Sequence, residues 1–406
     1  MTILEYIKKA FKGDKYIWGA IFVLVIISIL SVYSSSSVLA YKKGMFDSLY
    51  ILKHSFMLFG GVIAIILISH IPTSLFRTLA TFGLCIGIAG VISALIFGSS
   101  INGSSRWLSL GGIMFQPSEV AKLALLIYTC KILEQYSQNL GTAFWMIMLG
   151  ATFTCIPIFK EDLSTFLLVG GTTWVMMIIG RIPFKYTLGL LASAVAIVAL
   201  LFVLSSISTT ISEKFYRIGT WKLRTERFFN PSDDNSGNYQ ATQARMAVAT
   251  GGIFGKGPGN SYMKNFLPMA FSDFIYAIVL EEDGMIGGIL IVICYIIILA
   301  RSYNIMQRCK QPFDCYLIIG IALMLSMQAI VNMAVNVGLF PVTGQTLPLV
   351  SMGGTSNIIT GVALGIIQSI AADNIPKAQP KSIQINEDEI LNNTENIEEN
   401  LRLAKV

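Results

Sequence analysis

Charged residues are scarce in this chain. Lys, Arg, Asp and Glu make up 13% of its 406 residues, and 54% of the residues are hydrophobic. A soluble domain carries about 25% charged residues, so the composition excludes the soluble globular class. It predicts an all-α polytopic membrane protein. The net charge of +6 indicates little until the charges are placed along the chain.

Histidine and cysteine are scarce too. His54 and His70 are the only histidines, and no Cys/His cluster has the spacing of metal ligands, which argues against a zinc site. The six cysteines lie in apolar runs or in the stretch 301–315. Because none lies in the largest polar loop, the sequence excludes an external disulfide framework.

Long apolar runs are what the sequence has instead. A membrane helix needs roughly 20 predominantly apolar residues. The sequence predicts ten transmembrane helices at about 17–37, 50–71, 75–98, 117–134, 142–158, 162–180, 186–208, 272–300, 313–339 and 354–372. The fourth is the least apolar, because it contains Glu119, Lys122 and Lys131.

Basic residues orient these spans. With the N-terminus (1–16) inside, the inner segments hold Lys8, Lys9, Lys12, Lys15, Arg77, Lys131, Arg181, Lys185, Arg301, Arg308 and Lys310, whereas the short outer loops hold only Lys42, Lys43, Arg106 and Lys160. The positive-inside rule therefore predicts both termini in the cytoplasm. The polar, acidic tail at 373–406 is expected to be a flexible cytoplasmic segment.

The segment 209–271, between the seventh and eighth spans, then forms a large extracytoplasmic loop. It is basic, and long loops translocate largely regardless of charge. Its cations could bind lipid phosphates specifically or adhere to anionic headgroups in general. Its stretch 249–259 (ATGGIFGKGPG) has glycines that permit tight turns and close approach of the backbone to an anion, although it is not a P-loop.

Acidic and basic residues inside or beside the spans are functional candidates. Glu119 and Lys122 share one face of the fourth span, where they form either a structural pair or the polar floor of an outward cavity. Asp162 opens the sixth span at the same outer level. Asp273 opens the stretch 269–284 (MAFSDFIYAIVLEEDG), where Asp273 or Ser272 is either a helix N-cap or, in the case of Asp273, a catalytic acid.

Two further features accompany these charges. Gln328, Asn332 and Asn336 form a polar stripe on the ninth span, which helix–helix hydrogen bonding also explains. The loop 341–356 that follows has no charge and either lies against lipid or lines a cleft. Charges gathered at one interface, rather than at the midplane as in transporters, favour an enzyme or binder acting on an anionic, lipid-linked substrate outside the cytoplasm.

Five motifs in order resemble those of the SEDS family (shape, elongation, division and sporulation), whose members include FtsW, RodA and SpoVE. They are NGSSRWLSLGG with FQPSEVAKLAL, EDLSTF, FFNPSDDNSGNYQATQARMAVATGGIFGKGPGNS, LPMAFSDFIYAIVLEEDGMIG and NVGLFPVTGQTLPLVSMGGTS. The resemblance covers most of 15–372. Phe271 and Ser272 replace the family's His-Thr before Asp273, which excludes that imidazole as a required proton carrier, and Asp283 replaces a Leu.

The resemblance implies a SEDS transmembrane domain at 17–372 and peptidoglycan glycosyltransferase activity, in which lipid II is polymerised at the outer face of the bacterial cytoplasmic membrane. It implies a class B penicillin-binding protein as the transpeptidase partner, together with other divisome proteins and no nucleic acid. It places Asp273 at the catalytic acid, supported by Lys122 and Glu119. Substrate-binding residues by the same motifs are Arg106, Trp107, Gln116, Ser118, Asp162, Gln240 and Gln243.

The chemistry needs a base for the attacking sugar hydroxyl, and Asp273 is assigned that role. Burial should raise its pKa and Lys122 should lower it. The leaving pyrophosphate needs positive charge from Arg217, Arg224, Lys256 and Lys264 or from a divalent cation; the resemblance suggests Mg²⁺ or Mn²⁺. Glu281 and Glu282 are interpreted as buried structural acids, so a single displacement with inversion is expected.

Two other functions stay open at this point. A lipid II flippase needs a polar path across the whole membrane. Glu281, Glu282 and the ninth-span amides are polar groups that would contribute to such a path. A non-catalytic divisome scaffold is the third reading. The basic N-terminus and the long acidic tail fit the division-type FtsW, at the septum, better than the elongation-type RodA.

Overall fold

The structure is a computed structural model that describes residues 10–43, 47–101, 104–110, 113–207, 216–229, 236–267 and 270–374. The chain divides into two units, Met1–Asn374 and Ile375–Val406, and the second unit lies outside the described residues. The predicted tail at 373–406 therefore lies there too, except for its first two residues, which end the last helix.

Helices make up almost all of the described chain. In sequence order they are α1 Lys15–Lys43, α2 Asp47–Ile68, α3 Thr73–Phe97, α4 Pro117–Gln135, α5 Leu140–Glu161, α6 Leu163–Ile179, α7 Phe184–Ile207, α8 Tyr216–Phe229, α9 Ser236–Gly251, α10 Ile275–Glu282, α11 Gly284–Met306, α12 Pro312–Asn336 and α13 Thr355–Asn374.

Six of these helices are long and apolar enough to cross a membrane, judged on the described residues: α1, α3, α5, α11, α12 and α13. The apolar stretches of α2 and α6 are shorter. The predicted helical membrane architecture is confirmed in this sense. Each of the ten predicted spans overlaps a helix, but the number that cross the membrane and the outer placement of 209–271 stay predictions.

The packing of helix α4 explains why its sequence is less apolar than those of the other predicted spans. It packs against α3, α5, α6, α12 and α13, and most of its residues from Pro117 to Leu133 are buried. A helix surrounded by protein does not need a lipid-compatible surface. The charged side chains Glu119 and Lys122 are therefore retained at positions that face other helices rather than hydrocarbon.

The predicted eighth span, 272–300, is wrong as a single helix. The chain forms the two-turn helix α10, turns a corner at Asp283, and only then starts α11. Gly284 has φ +68° at that corner, a conformation that glycine adopts without steric penalty. Asp273 precedes α10 and lies in the turn that leads into it.

The polar segments between helices also carry structure. Between α3 and α4, the described residues form a small antiparallel sheet of β1 Ser99–Ile101, β2 Ser104–Leu110 and β3 Ile113–Phe115, which was not predicted from the sequence. In the segment 209–271, helices α8 and α9 are followed by a 3₁₀ turn at Met263–Asn265.

The segment before α1 is attached to the C-terminal ends of two helices. Arg301 at the end of α11 donates from Nη2 to Asp14 Oδ2 at 2.5 Å. The Asp14 amide donates to Gln368 Oε1 of α13 at 2.7 Å. Gly13, at φ +100°, leaves no room for a side chain against Gln368. This end of the helix bundle is opposite the end that carries the predicted site.

Glycines allow a close helix contact between α2 and α13. A Cβ on Gly361 would overlap the carbonyl oxygen of Gly61, and one on Gly61 would lie 2.8 Å from the carbonyl oxygen of Asn357. Small residues let membrane helices approach closely, which supplies packing that lipid does not drive.

We expect Gly361→Ala to destabilise the protein by about 1–3 kcal/mol, as is typical of overpacked cores. The added methyl group has no free volume between α2 and α13. Thermal unfolding in detergent, followed by circular dichroism, measures the effect. Gly83→Ala on α3 is the matched control, because a Cβ there meets no atom within 4 Å. Equal melting temperatures for the two variants would contradict this packing argument.

Candidate active site

Asp273 does not cap the helix that it precedes. The N-cap residue of α10 is Phe274, and no side chain of the cap residue bonds to the first turn. The cap interpretation of Ser272 and Asp273 is therefore not supported. Instead, the amide of Ala277 donates to Asn336 Oδ1 of α12 at 3.0 Å, so a neighbouring helix supplies the acceptor that a helix start needs.

The backbone of Asp273 is held by the polar stripe of α12. Its carbonyl oxygen accepts from Asn332 Nδ2 at 3.1 Å and from Asn336 Nδ2 at 3.0 Å. Asn332 and Asn336 are nearly fully buried. Because two amides fix the carbonyl, the Cα of Asp273 has little freedom, and its side chain starts from a defined position.

The carboxylate of Asp273 faces the uncharged loop 341–354. Oδ1 accepts from Ser272 Oγ at 2.9 Å. Gly344 lies beside Oδ2, since a Cβ at that glycine would be 3.6 Å from it. Gly344 has φ +73°. Because Gly344 has no side chain, only its backbone lies next to the carboxylate.

Burial raises the pKa of Asp273 above its ordinary value. The Ser272 hydroxyl, Arg106 and Arg224 act in the opposite direction, and Asp162 adds to the rise. Of the two competing effects expected from the sequence, burial is the stronger one. The cations that lower the pKa of Asp273 are Arg106 and Arg224, whereas the sequence predicted that Lys122 would lower it. A raised pKa makes this carboxylate a better base than a free Asp.

The Glu119–Lys122 pair lies buried behind the site. Lys122 Nζ is 2.9 Å from Glu119 Oε2 and donates to Gln328 Oε1 at 2.7 Å. Ser356 Oγ donates to the same carboxylate oxygen at 3.2 Å. The side chains of Lys122 and Glu119 are 3% and 7% exposed, so the pair is enclosed and hydrogen-bonded, as a buried ion pair must be to be tolerated.

Loop 341–354 connects the parts of the site. Four side chains from three helices, α6, α8 and α12, donate to its backbone carbonyls: Arg224 to Val342 at 2.8 Å, Ser164 to Thr343 at 2.9 Å, Asn332 to Gln345 at 2.6 Å and Gln328 to Thr346 at 3.0 Å. Of the two alternatives left open by the sequence, contact with lipid or the lining of a cleft, these bonds favour the second. The loop carbonyls receive polar donors, which lipid cannot provide.

Arg106 and Asp162 form the second charged pair at this end. Arg106 Nη1 is 2.6 Å from Asp162 Oδ2. Asp162 also caps α6, since its Oδ1 accepts from the amides of Ser164 and Thr165 at 3.0 and 3.1 Å. Asp162 thus has a local structural role in addition to its predicted role in binding substrate.

Three other predicted residues lie near this pair in the chain. Trp107 is half-buried on β2. Gln116 precedes α4 and donates from Nε2 to Ser118 Oγ at 3.0 Å. Ser118 is buried in the first turn of α4.

Lys256 and Lys264 belong to a separate network around Glu281 and Glu282. Glu281 is fully buried, and its oxygens accept from Lys256 Nζ at 2.6 Å and Ser261 Oγ at 2.5 Å, and from two loop amides. Lys264 Nζ donates to Ser34 Oγ at 3.1 Å, and Ser34 in turn donates to Glu282. Burial raises the pKa of Glu281, but the hydrogen bonds from Lys256, Ser261 and the two loop amides have a larger opposite effect. The pKa of Glu281 is therefore lowered overall.

The glycine-rich stretch 249–259 packs against the corner between α10 and α11. A Cβ on Gly251 would overlap the carbonyl of Leu280, and one on Gly255 would overlap that of Glu282. The close backbone approach predicted for these glycines is therefore made with the chain itself. Gln240 and Gln243 lie half-buried on α9. Arg217 is on α8, and its side chain lies outside the described residues.

The sequence analysis missed the contribution of Ser272 and the extent of that of Asn332 and Asn336. Ser272 was recognised as a candidate helix cap and as a departure from the family motif, but not as a donor to Asp273. The asparagines were recognised as a stripe, but their bonds to Asp273 were not predicted. A hydroxyl directly before the acid, and two amides one helical turn apart, were the available signals.

Most of the chain matches a model of a known protein family. A family model described as "Cell cycle protein", named for FtsW, RodA and SpoVE, matches residues 14–375. The chain belongs to the SEDS family.

Curated members of the SEDS family are similar over most of the chain. The "Probable peptidoglycan glycosyltransferase FtsW" of Halomonas elongata is 32% identical over 368 residues, which are 87% of this chain and 89% of the relative. "Stage V sporulation protein E" of Bacillus subtilis is 33% identical over 360 residues, 86% of this chain and 94% of the relative.

Solved SEDS structures have the same fold. A chain in the structure of a peptidoglycan synthase complex that coordinates polymerization and crosslinking aligns with a TM-score of 0.72 at 25% identity, covering 90% of this chain and 99% of that one. The rod shape determining protein RodA of Thermus thermophilus aligns with a TM-score of 0.60 at 22% identity, over 90% and 98% of the two chains.

The buried pair Glu119–Lys122 can be separated into its structural and functional parts. Lys122→Met leaves Glu119 buried and unpaired, and we expect a loss of about 3–5 kcal/mol in stability. The double variant Glu119→Gln/Lys122→Met removes both charges and should recover most of that loss. Chemical unfolding in detergent measures both.

Activity of the double variant decides between the two interpretations of the pair. A pair that only holds the helices together predicts recovered glycan synthesis along with recovered stability. A pair that supports catalysis predicts a stable but inactive protein. A double variant as unstable as Lys122→Met would contradict the assignment of the pair to the buried core.

Proposed function

We propose that this protein is a peptidoglycan glycosyltransferase that links lipid II disaccharides into glycan strands, with Asp273 as the general base. The names of its curated relatives support this activity. The observation that carries the assignment of Asp273 is its geometry. Its backbone is fixed by two buried asparagines, and its carboxylate lies against Gly344, where no side chain comes between the two.

The attacking sugar hydroxyl is a weak nucleophile unless a base removes its proton in the transition state. Such help is worth about 10²–10⁴-fold in rate. The raised pKa of Asp273 increases its proton affinity, while the nearby Arg106 and Arg224 still favour the charged form that must accept the proton. Ser272 donates to Oδ1, which leaves Oδ2 as the oxygen that takes the proton.

A single displacement with inversion follows from the occupation of the other acids. A retaining mechanism needs a second carboxylate about 5–5.5 Å from the first. Glu281 lies eight residues along the chain at the far end of α10, and its oxygens are occupied by Lys256, Ser261 and loop amides. Asp162 is occupied by the cap of α6 and by Arg106.

We assign the positive charge for the leaving pyrophosphate to Arg106 and Arg224. Both act on Asp273 electrostatically, so they lie close enough to serve the same substrate. Preorganised cations stabilise charge that develops in the transition state without reorganisation. A role of Lys256 and Lys264 at the substrate requires their bonds to Glu281 and Ser34 to open, and a role of Arg217 remains a prediction.

A divalent cation, Mg²⁺ or Mn²⁺, remains part of the proposal. Among the described residues, no three acidic, histidine or cysteine side chains are grouped so that they could hold an ion. The protein residues therefore do not fit a dedicated metal cage. Mg²⁺ commonly binds through substrate phosphates with few protein ligands, but we assign no step of the reaction to it.

We further propose that the protein works at the division septum, in the cytoplasmic membrane, with a class B penicillin-binding protein and other divisome proteins. Similarity to FtsW relatives and to a chain of a peptidoglycan synthase complex supports this. Lipid II is the expected substrate. Glu281 and Glu282 do not favour the flippase alternative, because both carboxylates already accept hydrogen bonds from the protein.

Replacing Asp273 tests the proposed base. We expect Asp273→Asn to lower the rate of glycan polymerisation from purified lipid II by about 10²-fold or more, the size of general-base help. Because the ionised carboxylate is unfavourably buried, the same variant should melt at a higher temperature than the wild type. Polymer length on a gel and thermal unfolding give the two readouts.

Asp283→Asn is the matched control, since Asp283 is a half-buried acid at the opposite end of α10. It should retain polymerisation. Unchanged polymer from Asp273→Asn would overturn the proposed base and favour a flippase or a scaffold. Repeating the wild-type assay with a chelator, and with and without the penicillin-binding partner, tests the proposed cation and partner.

The pH dependence offers an independent test through Ser272. A base acts when deprotonated, so the rate falls as the pH falls through its pKa. The Ser272 hydrogen bond lowers the pKa of Asp273, so Ser272→Ala should raise that pKa further and move the acid limb of the rate profile to higher pH. Ser272→Thr keeps the hydroxyl and should leave the limb in place. If the acid limb of the rate profile is unchanged or moves to lower pH in Ser272→Ala, that result would contradict the assignment of Asp273 as the base.

A further inference from the structure

One buried residue of loop 341–354 has a strained backbone. Leu349 has φ +62° and is 1% exposed. A residue with a Cβ rarely adopts this left-handed conformation, because the Cβ crowds the following carbonyl oxygen. Arg181, the other non-glycine residue with positive φ in the described chain, is exposed and directly follows the end of α6, where such a conformation is common. Leu349 is at no helix end, so its conformation needs another explanation.

Two hydrogen bonds hold the residues on either side of Leu349. Tyr295 Oη of α11 donates to the carbonyl oxygen of Pro348 at 2.5 Å. Ser28 Oγ of α1 donates to the carbonyl oxygen of Val350 at 2.8 Å. Tyr295 and Ser28 are buried, so both bonds are shielded from water. A strained backbone persists only where its surroundings over-determine it, and these two donors fix the carbonyl groups on both sides of the strained residue.

His54 of α2 supports one of these donors. Its Nε2 lies 2.9 Å from Ser28 Oγ. The Ser28 hydroxyl has one hydrogen and donates it to Val350, so it accepts at His54, and the ring proton is assigned to Nε2. His54 Nδ1 is buried and has no partner among the described residues. The contribution of the ring at this position is therefore its Nε2 donor, which orients the Ser28 hydroxyl toward Val350.

The turn 347–351, which contains the strained residue, is bonded to the residues just before Asp273. Ser351 Oγ donates to the carbonyl oxygen of Ser272 at 2.6 Å. The next amide, that of Met352, donates to the carbonyl oxygen of Phe271 at 2.9 Å. The asparagines of α12 hold the carbonyl of Asp273. The chain is therefore fixed both before and after the Cα of the acid.

We propose that Tyr295, Ser28 and His54 are positioning residues for Asp273, and that they act through the turn 347–351. The proposal rests on the proposed function, because it takes Asp273 as the reacting group. The strained residue in the turn allows the carbonyls on its two sides to bond to different helices, α11 and α1. Fixed in this way, the turn holds the acid within the tolerance that catalysis needs, since a misplacement of about 1 Å can lower a rate by about 10²-fold.

Removing single donors tests the positioning roles. Tyr295→Phe and Ser28→Ala each remove one hydroxyl from the turn. We expect each to lower kcat for polymerisation of purified lipid II by about tenfold or more and to change KM by no more than about twofold, because the loss concerns the transition state. His54→Leu should lower kcat in the same way, whereas His54→Gln keeps an N–H donor of similar reach and should retain kcat.

Tyr128→Phe is the matched control for Tyr295→Phe. Tyr128 is also buried, and its hydroxyl donates to the carbonyl oxygen of Met146 at 3.2 Å, between α4 and α5. It should keep the kcat of the wild type. A double-variant cycle adds the route of action. Ser351→Ala breaks the bond between the turn and Ser272, so Tyr295→Phe should have little further effect on kcat in that background, whereas independent effects multiply.

The strain is tested without turnover, by thermal unfolding in detergent. Leu349→Ala keeps the left-handed conformation on a residue with a Cβ, and Leu349→Gly relieves it. Glycine ordinarily destabilises relative to alanine, but the order reverses where φ is positive. We therefore expect Leu349→Gly to melt at a higher temperature than Leu349→Ala. Leu347 is equally buried in the same turn and has no positive φ, so Leu347→Gly should melt below Leu347→Ala.

A wild-type kcat in Tyr295→Phe and His54→Leu would overturn the positioning roles, and so would an equal loss of kcat in Tyr128→Phe. Leu349→Gly melting below Leu349→Ala would overturn the strained turn. If the Leu349 variants do not fold, Tyr295→Phe with its Tyr128→Phe control decides the proposal. Polymerisation by Asp273→Asn tests the proposed function separately, and the order of the melting temperatures at 349 does not depend on its result.

Discussion

The hydrogen bonds from Asn332 and Asn336 to the carbonyl of Asp273 are the constraint on which the site depends. They join a two-turn helix, α10, to the long helix α12, and Asn336 also receives the amide of Ala277. Buried amides need partners, and here each partner is part of the site. The same stripe holds Lys122 through Gln328 and loop 341–354 through its carbonyls. One face of α12 therefore positions the acid, the buried ion pair and the loop together.

The helices could be predicted from composition because lipid demands long apolar runs. The corner at Gly284 could not, because the apolar run continues through it and the reason for the break is the packing of Gly251 and Gly255 against α10. The sheet at 99–115 was missed for a similar reason. Its strands are three to seven residues long, too short for a periodic signal to stand out.

The site residues show the same limit. Asp273 was recognisable because a carboxylate stood at a membrane border, and motif order supported it. Lys256 and Lys264 were equally visible as cations, but their partners, Glu281 and Ser34, lie far away in sequence. A sequence shows which residues are charged. It does not show which residue each charge pairs with when that residue is distant in the chain. The asparagine stripe was seen without its purpose, because helix–helix bonding predicts the same pattern.

The two ends of α10 show how one short helix supports two kinds of acid. At its start, Asp273 has one hydroxyl donor, and burial raises its pKa. At its end, Glu281 has no exposed surface, yet a lysine, a hydroxyl and loop amides lower its pKa. Groups whose pKa values are driven apart by their surroundings divide into those that exchange protons and those that stay charged. Glu281 holds the segment 256–263 through these donors and favours its charged form, whereas Asp273 has the raised proton affinity that a base requires.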